Sequence, residues 1–214
     1  MKKLVLLIVC LMVMGSVANA QVTAGLNTIF YKSVETNYHL GQDFENSGTL
    51  YEGFALVNAR GVALRGYHLF NKSYSIPACL PAKDKNSKPT PANLDSNFFA
   101  SRIEMGLPFY YHRALLEPFV VNSYTKNYYT ISGDKVNYSK DLTNITPGFG
   151  VAYSQIVAGN QNVSAKYFLT PKDSYLNLQY SWFNSKSSMG IGYTFRTYDN
   201  IRISGPFLNV SLIF

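Results

Sequence analysis

Cysteine is nearly absent. The 214-residue chain has two, Cys10 and Cys79, and Cys10 falls inside a leader-like segment. The remainder carries one thiol, so no internal disulfide can form and a disulfide-stapled fold is excluded. Cys79 is read as a free thiol or an intermolecular link. Histidine occurs three times and tryptophan once. Three scattered histidines give no ligand spacing, so neither a metal nor another cofactor is expected. Charge is sparse: 19 Lys and Arg against 12 Asp and Glu. This modest basic excess suits an anionic membrane face and does not argue for nucleic acid. Beyond the leader no apolar run approaches the ~18–20 residues of a membrane-crossing helix. The pairs Gly148-x-Gly150 and Gly190-x-Gly192 lack a third glycine and a following helix, so they are not nucleotide loops.

The leader is residues 1–20. Lys2 and Lys3 precede an apolar run from Leu4 to Met14, and Ala18-Asn19-Ala20 is a small-x-small cleavage site. The pattern predicts a secretory signal cut between Ala20 and Gln21, leaving 21–214 as a single domain.

What the chain does have is aromatics, with 17 Tyr and 14 Phe, in segments that alternate with a period of two. In "SYLNLQYSWF", Leu176, Leu178, Tyr180 and Trp182 alternate with Tyr175, Asn177, Gln179 and Ser181. In "SMGIGYTFRTY", Met189, Ile191, Tyr193 and Phe195 alternate with Gly190, Gly192, Thr194 and Arg196, and "NITPGFGVAYSQ" behaves the same way. One face is large and apolar; the other is small or polar. Less regular strands are placed near 22–32, 49–58, 61–71, 98–107, 115–129, 161–171 and 206–214. That makes ten, with an eight-strand count also open. Every second connection is short (58–61, 108–114, 158–160, 184–187). The intervening ones are read as loops at 33–48, 72–97, 131–142 and 199–205, except a short one near 170–173.

Alternation alone fits a soluble sandwich or lipocalin-like carrier, with large residues inward, or a membrane barrel, with large residues toward lipid. Three features favour the barrel. Strands of about 9–11 residues match the bilayer. The small faces carry Gly, Ser, Thr and Asn rather than the Lys and Glu that a soluble sheet shows to water. The chain stops on an in-pattern aromatic, with Leu208, Val210, Leu212 and Phe214 on one face.

This ending, "LNVSLIF", resembles the C-terminal signal of bacterial outer-membrane β-barrel proteins, and with the leader and strand pattern the resemblance extends over the whole chain. It covers small barrels, including solitary autotransporter-like ones, at the level of class. Pro206 departs from the pattern, where an aromatic is often found. The resemblance implies an all-β, closed, antiparallel up-and-down transmembrane barrel with short periplasmic turns and longer external loops. It also implies outer-membrane localisation, contact with outer-membrane lipid and lipopolysaccharide, and recognition of Leu208, Val210, Leu212 and Phe214 by the barrel-assembly machinery.

Following the alternation, Arg65, Arg102, Glu104, Glu117, Lys166 and Arg196 are expected in the lumen, with the facing of Glu52 open. They read as an ion-pair network filling the barrel or as a charged constriction. The glycines at 148, 150, 190 and 192 are read as making room in a narrow interior. His39, with Asp43, Glu45, Asp95 and Asp134 as neighbours, resembles an omptin-like loop site only loosely; His68 lacks the His-x-Ser-Asn arrangement of lipid-A deacylase barrels; His112 falls in a short turn. The Lys- and Pro-rich segment 72–97 is read as an extended, mobile external loop, either a variable surface segment or a binding surface for an external ligand. The result is a non-enzymatic envelope or surface-interaction barrel. The alternatives are a small-solute channel, a loop-site enzyme and the soluble carrier.

Overall fold

A computed structural model describes residues 21–37, 42–59, 61–80, 90–133, 136–199 and 201–214. Residues 1–20, where the sequence predicts a cleaved leader, lie outside them. The described chain is almost entirely strand: β1 (Gln21–Asn37), β2 (Gln42–Ala59), β3 (Val62–Leu80), β4 (Thr90–Gly106), β5 (Phe109–Tyr111), β6 (Ala114–Gly133), β7 (Val136–Ala158), β8 (Gln161–Leu169), β9 (Asp173–Phe183), β10 (Ser187–Tyr198) and β11 (Ile201–Ile213). Each long strand pairs antiparallel with its sequence neighbours. Two seams complete the ring: β4 with β6, bypassing the three-residue β5, and β1 with β11. Ten strands therefore form a closed barrel. Closure gives every strand a partner on both sides across the apolar band, as a hydrocarbon surround requires.

The outward positions are large and apolar. Leu26, Leu64, Ile103, Val120, Val151, Leu178, Ile191, Leu208 and Val210 are all exposed, the inverse of a soluble protein. Aromatics bound this aliphatic band. Phe30, Tyr51, Phe70, Phe99, Tyr124, Tyr167 and Phe195 lie toward the end remote from the termini, and Phe109, Tyr110, Tyr111, Trp182 and Phe214 toward the short turns. Rings with one apolar and one wet end favour the two faces of a bilayer.

The wall is uneven in height. Strands β8 to β11 have 9–13 residues, enough to cross once, whereas β1–β4, β6 and β7 have 17–23. Among the described residues, 33–37, 42–48, 72–80, 90–97, 131–133, 136–142 and 201–205 are thus strand, where the sequence predicts loops at 33–48, 72–97, 131–142 and 199–205. Two effects hide them. Pro77 and Pro91 look like breakers, yet β3 pairs with β2 only up to Leu69, so Pro77 lies on an edge, where a missing N–H is tolerated. The apolar signal there is also thin, with single residues such as Phe44 and Leu94 between acidic or amide neighbours. Residues 81–89, with most of the loop's lysines, lie outside the described residues, as do His39 and Asp134.

Candidate functional site

The lumen is built in layers. At the short-turn end is a polar cavity of about 300 Å³, lined among others by Ser188, Ser211, Asn177, Gln179, Asn209 and Asn27. Its amides form a chain: Gln179 donates to Asn209 (3.4 Å), Asn209 to Asn27 (2.7 Å), and Asn27 to the Glu52 carboxylate (2.9 Å).

The chain leads to an ionic layer. Glu52 is the hub. Its two oxygens accept from Arg196 Nη1 and Nη2 at 2.7 and 2.9 Å, and Oε1 also accepts from Arg102 Nη1 at 3.0 Å. Arg102 Nε donates to Glu104 at 3.0 Å; Lys166 donates to the other Glu104 oxygen and to the Tyr67 hydroxyl, the latter at 2.9 Å. Arg65 and Glu117 form a bidentate pair. Four cations meet three carboxylates, and the surplus positive charge is met by aromatic faces. The Arg102 guanidinium lies 3.9 Å from the Tyr67 ring centroid and 4.3 Å from that of Tyr175, and Arg196 lies 4.9 Å from the latter. Glu52, Glu104 and Glu117 are at most 1% exposed. Carboxylates so deeply placed are tolerated only because each is paired and hydrogen-bonded.

Above the ions the lumen turns apolar. Ile29, Leu50, Leu69, Phe98, Ala100, Tyr198, Ile203 and Phe207 form one buried cluster. A thin polar layer follows, in which Ser96 donates to Asn127 and Asn127 to Glu35, both at 3.1 Å. Phe44, Ala92, Leu94, Tyr129 and Ile131 then pack under the tall wall as a second cluster, which caps the lumen. Here, outside the membrane-spanning segments, burial pushes the Tyr129 phenol up to about 12, with Tyr138 adding to the rise.

The six charges expected in the lumen all lie there: Arg102, Glu104, Lys166 and Arg196 are linked through Glu52 and one another, and Arg65 and Glu117 form a separate pair beside them. The period of two leaves Glu52 open because its same-face neighbours, Leu50 and Phe54, are as large as the outward Tyr51. Gly150 and Gly192 face inward, and a Cβ on either would overlap the ring of Phe119 or Phe207. Leu208, Val210, Leu212 and Phe214 face outward, and Phe214 exchanges backbone hydrogen bonds with Val22. Of the residues considered for a loop site, His39 and Asp134 lie outside the described residues; Asp43 accepts from Thr36 at 2.8 Å, and Glu45 and Asp95 are exposed. His112 sits at φ 52° in the turn after β5. Nothing in the sequence pattern signals that His68 meets Ser101, 33 residues away (2.7 Å). Among the described residues no group of His, Cys, Asp and Glu has metal-site geometry.

No protein-family model matches the chain, and no curated protein sequence matches it. Solved structures do. The outer membrane protease OmpT from Escherichia coli superposes over 92% of this chain and 96% of its own, with a TM-score of 0.54 and 6% identity. The β domain of the Bordetella autotransporter BrkA covers 91% and 97%, with a TM-score of 0.48 and 12% identity. The attachment invasion locus protein Ail of Yersinia pestis covers 90% and 99%, with a TM-score of 0.41 and 11% identity. At such identities the likeness is one of fold, and the fold is that of the outer-membrane β-barrel proteins.

Proposed function

We propose that this chain is an exported, non-enzymatic outer-membrane barrel with a sealed lumen, which supports the envelope and presents its tall wall to the exterior as an interaction surface. The observation that carries the reading is the stacking of the ionic layer beneath an apolar cluster. An ion entering from the short-turn end meets paired charges and then a closely packed layer dominated by apolar side chains, with the Tyr31 and Tyr198 phenols and the Thr125 hydroxyl among them, which resists wetting and conduction. The carboxylates near the axis are held by arginines and are not free to act as bases. Leu208, Val210, Leu212 and Phe214 serve as the assembly signal in this reading. In this reading the strand extensions at residues 33–37, 42–48, 72–80, 90–97 and 136–142 lie beyond the lipid and meet lipopolysaccharide or an external partner.

The test is single-channel recording in a planar bilayer, with insertion verified by a shift in gel migration between unboiled and boiled samples. Inserted protein is expected to give no conductance steps. Steady, ion-selective steps that change in Arg102→Ala or Glu104→Ala would replace this reading with that of a small-solute channel.

A further inference from the structure

Building on the membrane placement given above, we propose that the outer wall of β2, β3 and β4 carries a lipid-binding site. In it, His68 and Ser101 hold the acyl carbonyl of one lipid and a trough beside them holds its chain. His68 and Ser101 lie directly opposite each other on paired strands and face outward. His68 Nδ1 is 2.7 Å from Ser101 Oγ. If the ring N–H donates to the hydroxyl oxygen, the hydroxyl hydrogen is left over. If the hydroxyl donates to the ring, the Nε2–H is left over. In either tautomer one donor has no side-chain partner among the described residues and faces the surrounding layer. A donor placed there is costly unless the layer supplies an acceptor.

Depth selects the acceptor. His68 lies one outward position inside Phe70. It meets that ring edge-on at 5.4 Å and the Phe99 ring at 6.2 Å. This aromatic row marks the boundary between the aliphatic band and the wet exterior, where the carbonyls that link acyl chains are found. The two rings also restrict the imidazole, so it is presented in one orientation.

The trough supplies the chain site. Gly53 is opposite His68, and Gly66 is two residues before it on the same face, opposite Ala55. A Cβ at Gly66 would meet nothing within 4 Å, and one at Gly53 only the edge of Phe70, at 3.6 Å. Three adjoining outward positions thus lack a side chain beyond a methyl, continued by Ala24 opposite Ala55, in a wall that carries mostly larger side chains. The gap begins at the polar pair and runs into the aliphatic band, as an acyl chain runs from its carbonyl.

The full chain would be refolded into bilayer discs of diester phosphatidylethanolamine, released into mild detergent and weighed by native mass spectrometry. One retained lipid is expected, with retention reduced about tenfold, equivalent to about 1.4 kcal/mol, in the His68→Phe/Ser101→Ala double variant and in Gly66→Leu. The diether analogue, with the same headgroup and chains but no carbonyl, should be retained as poorly. Equal retention by the parent and both variants would overturn the site. Equal retention of the diether lipid would overturn the carbonyl assignment in favour of phosphate. Fatty acid released by the parent and not by Ser101→Ala would overturn simple binding in favour of hydrolysis by a serine–histidine pair. Flotation with vesicles reads insertion separately: protein that inserts but retains no lipid defeats the lipid site alone, and protein that fails to insert defeats the membrane placement.

Discussion

Replacing Glu52 with alanine is expected to destabilise the barrel by about 3–5 kcal/mol, the cost of stripping a buried ion network of one partner. Glu52 serves Arg196 through both oxygens, Arg102 through one, and Asn27 through the other. Without it Arg196 keeps neutral partners, its Nε bond to Thr194 (3.1 Å), the Tyr198 hydroxyl and the face of Tyr175, and Arg102 keeps Glu104 and two tyrosine rings. Water would have to enter a part of the lumen that is otherwise packed. Urea midpoints in lipid micelles, followed by Trp182 fluorescence, measure the effect. Glu52→Gln should be nearly as damaging, because shape is kept and charge is lost. Adding Arg196→Met to Glu52→Gln should recover part of the loss, since the cation that needed Glu52 is gone. A Glu52→Gln variant as stable as the parent, or a double variant no better than the single, would show that the network does not work as a unit.

Gly192→Val is expected to cost about 3 kcal/mol or more, at or above the upper end of ordinary overpacking. A Cβ there would overlap the Leu178 carbonyl oxygen and lie 2.5 Å from two atoms of the Phe207 ring. The oxygen belongs to the paired strand β9, so it moves only if the strand moves. Phe207 belongs to the apolar cluster that seals the lumen, so the ring cannot swing away without opening a void. Gly66→Ala is the contrast. Its Cβ meets open space, and a change within about 0.5 kcal/mol is expected. Refolding yield from urea distinguishes them; comparable yields would mean that the wall at Gly192 yields more easily than its geometry implies.

The ten strands are legible in the sequence because lipid and lumen demand opposite residue types on successive positions, and nothing blurs that demand in β7, β9 and β10. The signal weakens where the lumen is itself apolar. Around Ile29, Leu50, Leu69 and Phe98, both faces of the strand are large and hydrophobic, so the period of two fades and the strands read as shorter than they are. Charges on the axis are legible because a charged residue in phase with glycines and serines can only point inward. Two things are not. The partners within the network depend on side-chain reach across strands far apart in sequence, as with Glu52 and Arg196, 144 residues apart. The His68–Ser101 pair depends on the β3–β4 register, which shifts at an irregularity between Leu69 and Lys72 that no residue pattern marks.

The ionic layer also bears on the order of assembly. Most strand pairs here are local hairpins, whose ends are brought together cheaply because little chain lies between them. The β1–β11 seam is different: Thr23 pairs with Ile213, so nearly the whole domain is the loop it closes. Contacts of that range are the slow ones in folding. Asn27 and Asn209 span this seam directly, and Glu52 on β2 reaches past it to Arg196 on β10. None of these bonds can form while the sheet is an open curved ribbon, and all form together when its edges meet. Glu52 and its arginines therefore act as a clasp: they reward only the closed ring, and they discourage a ribbon that has zipped its hairpins from pairing its free edges with another chain.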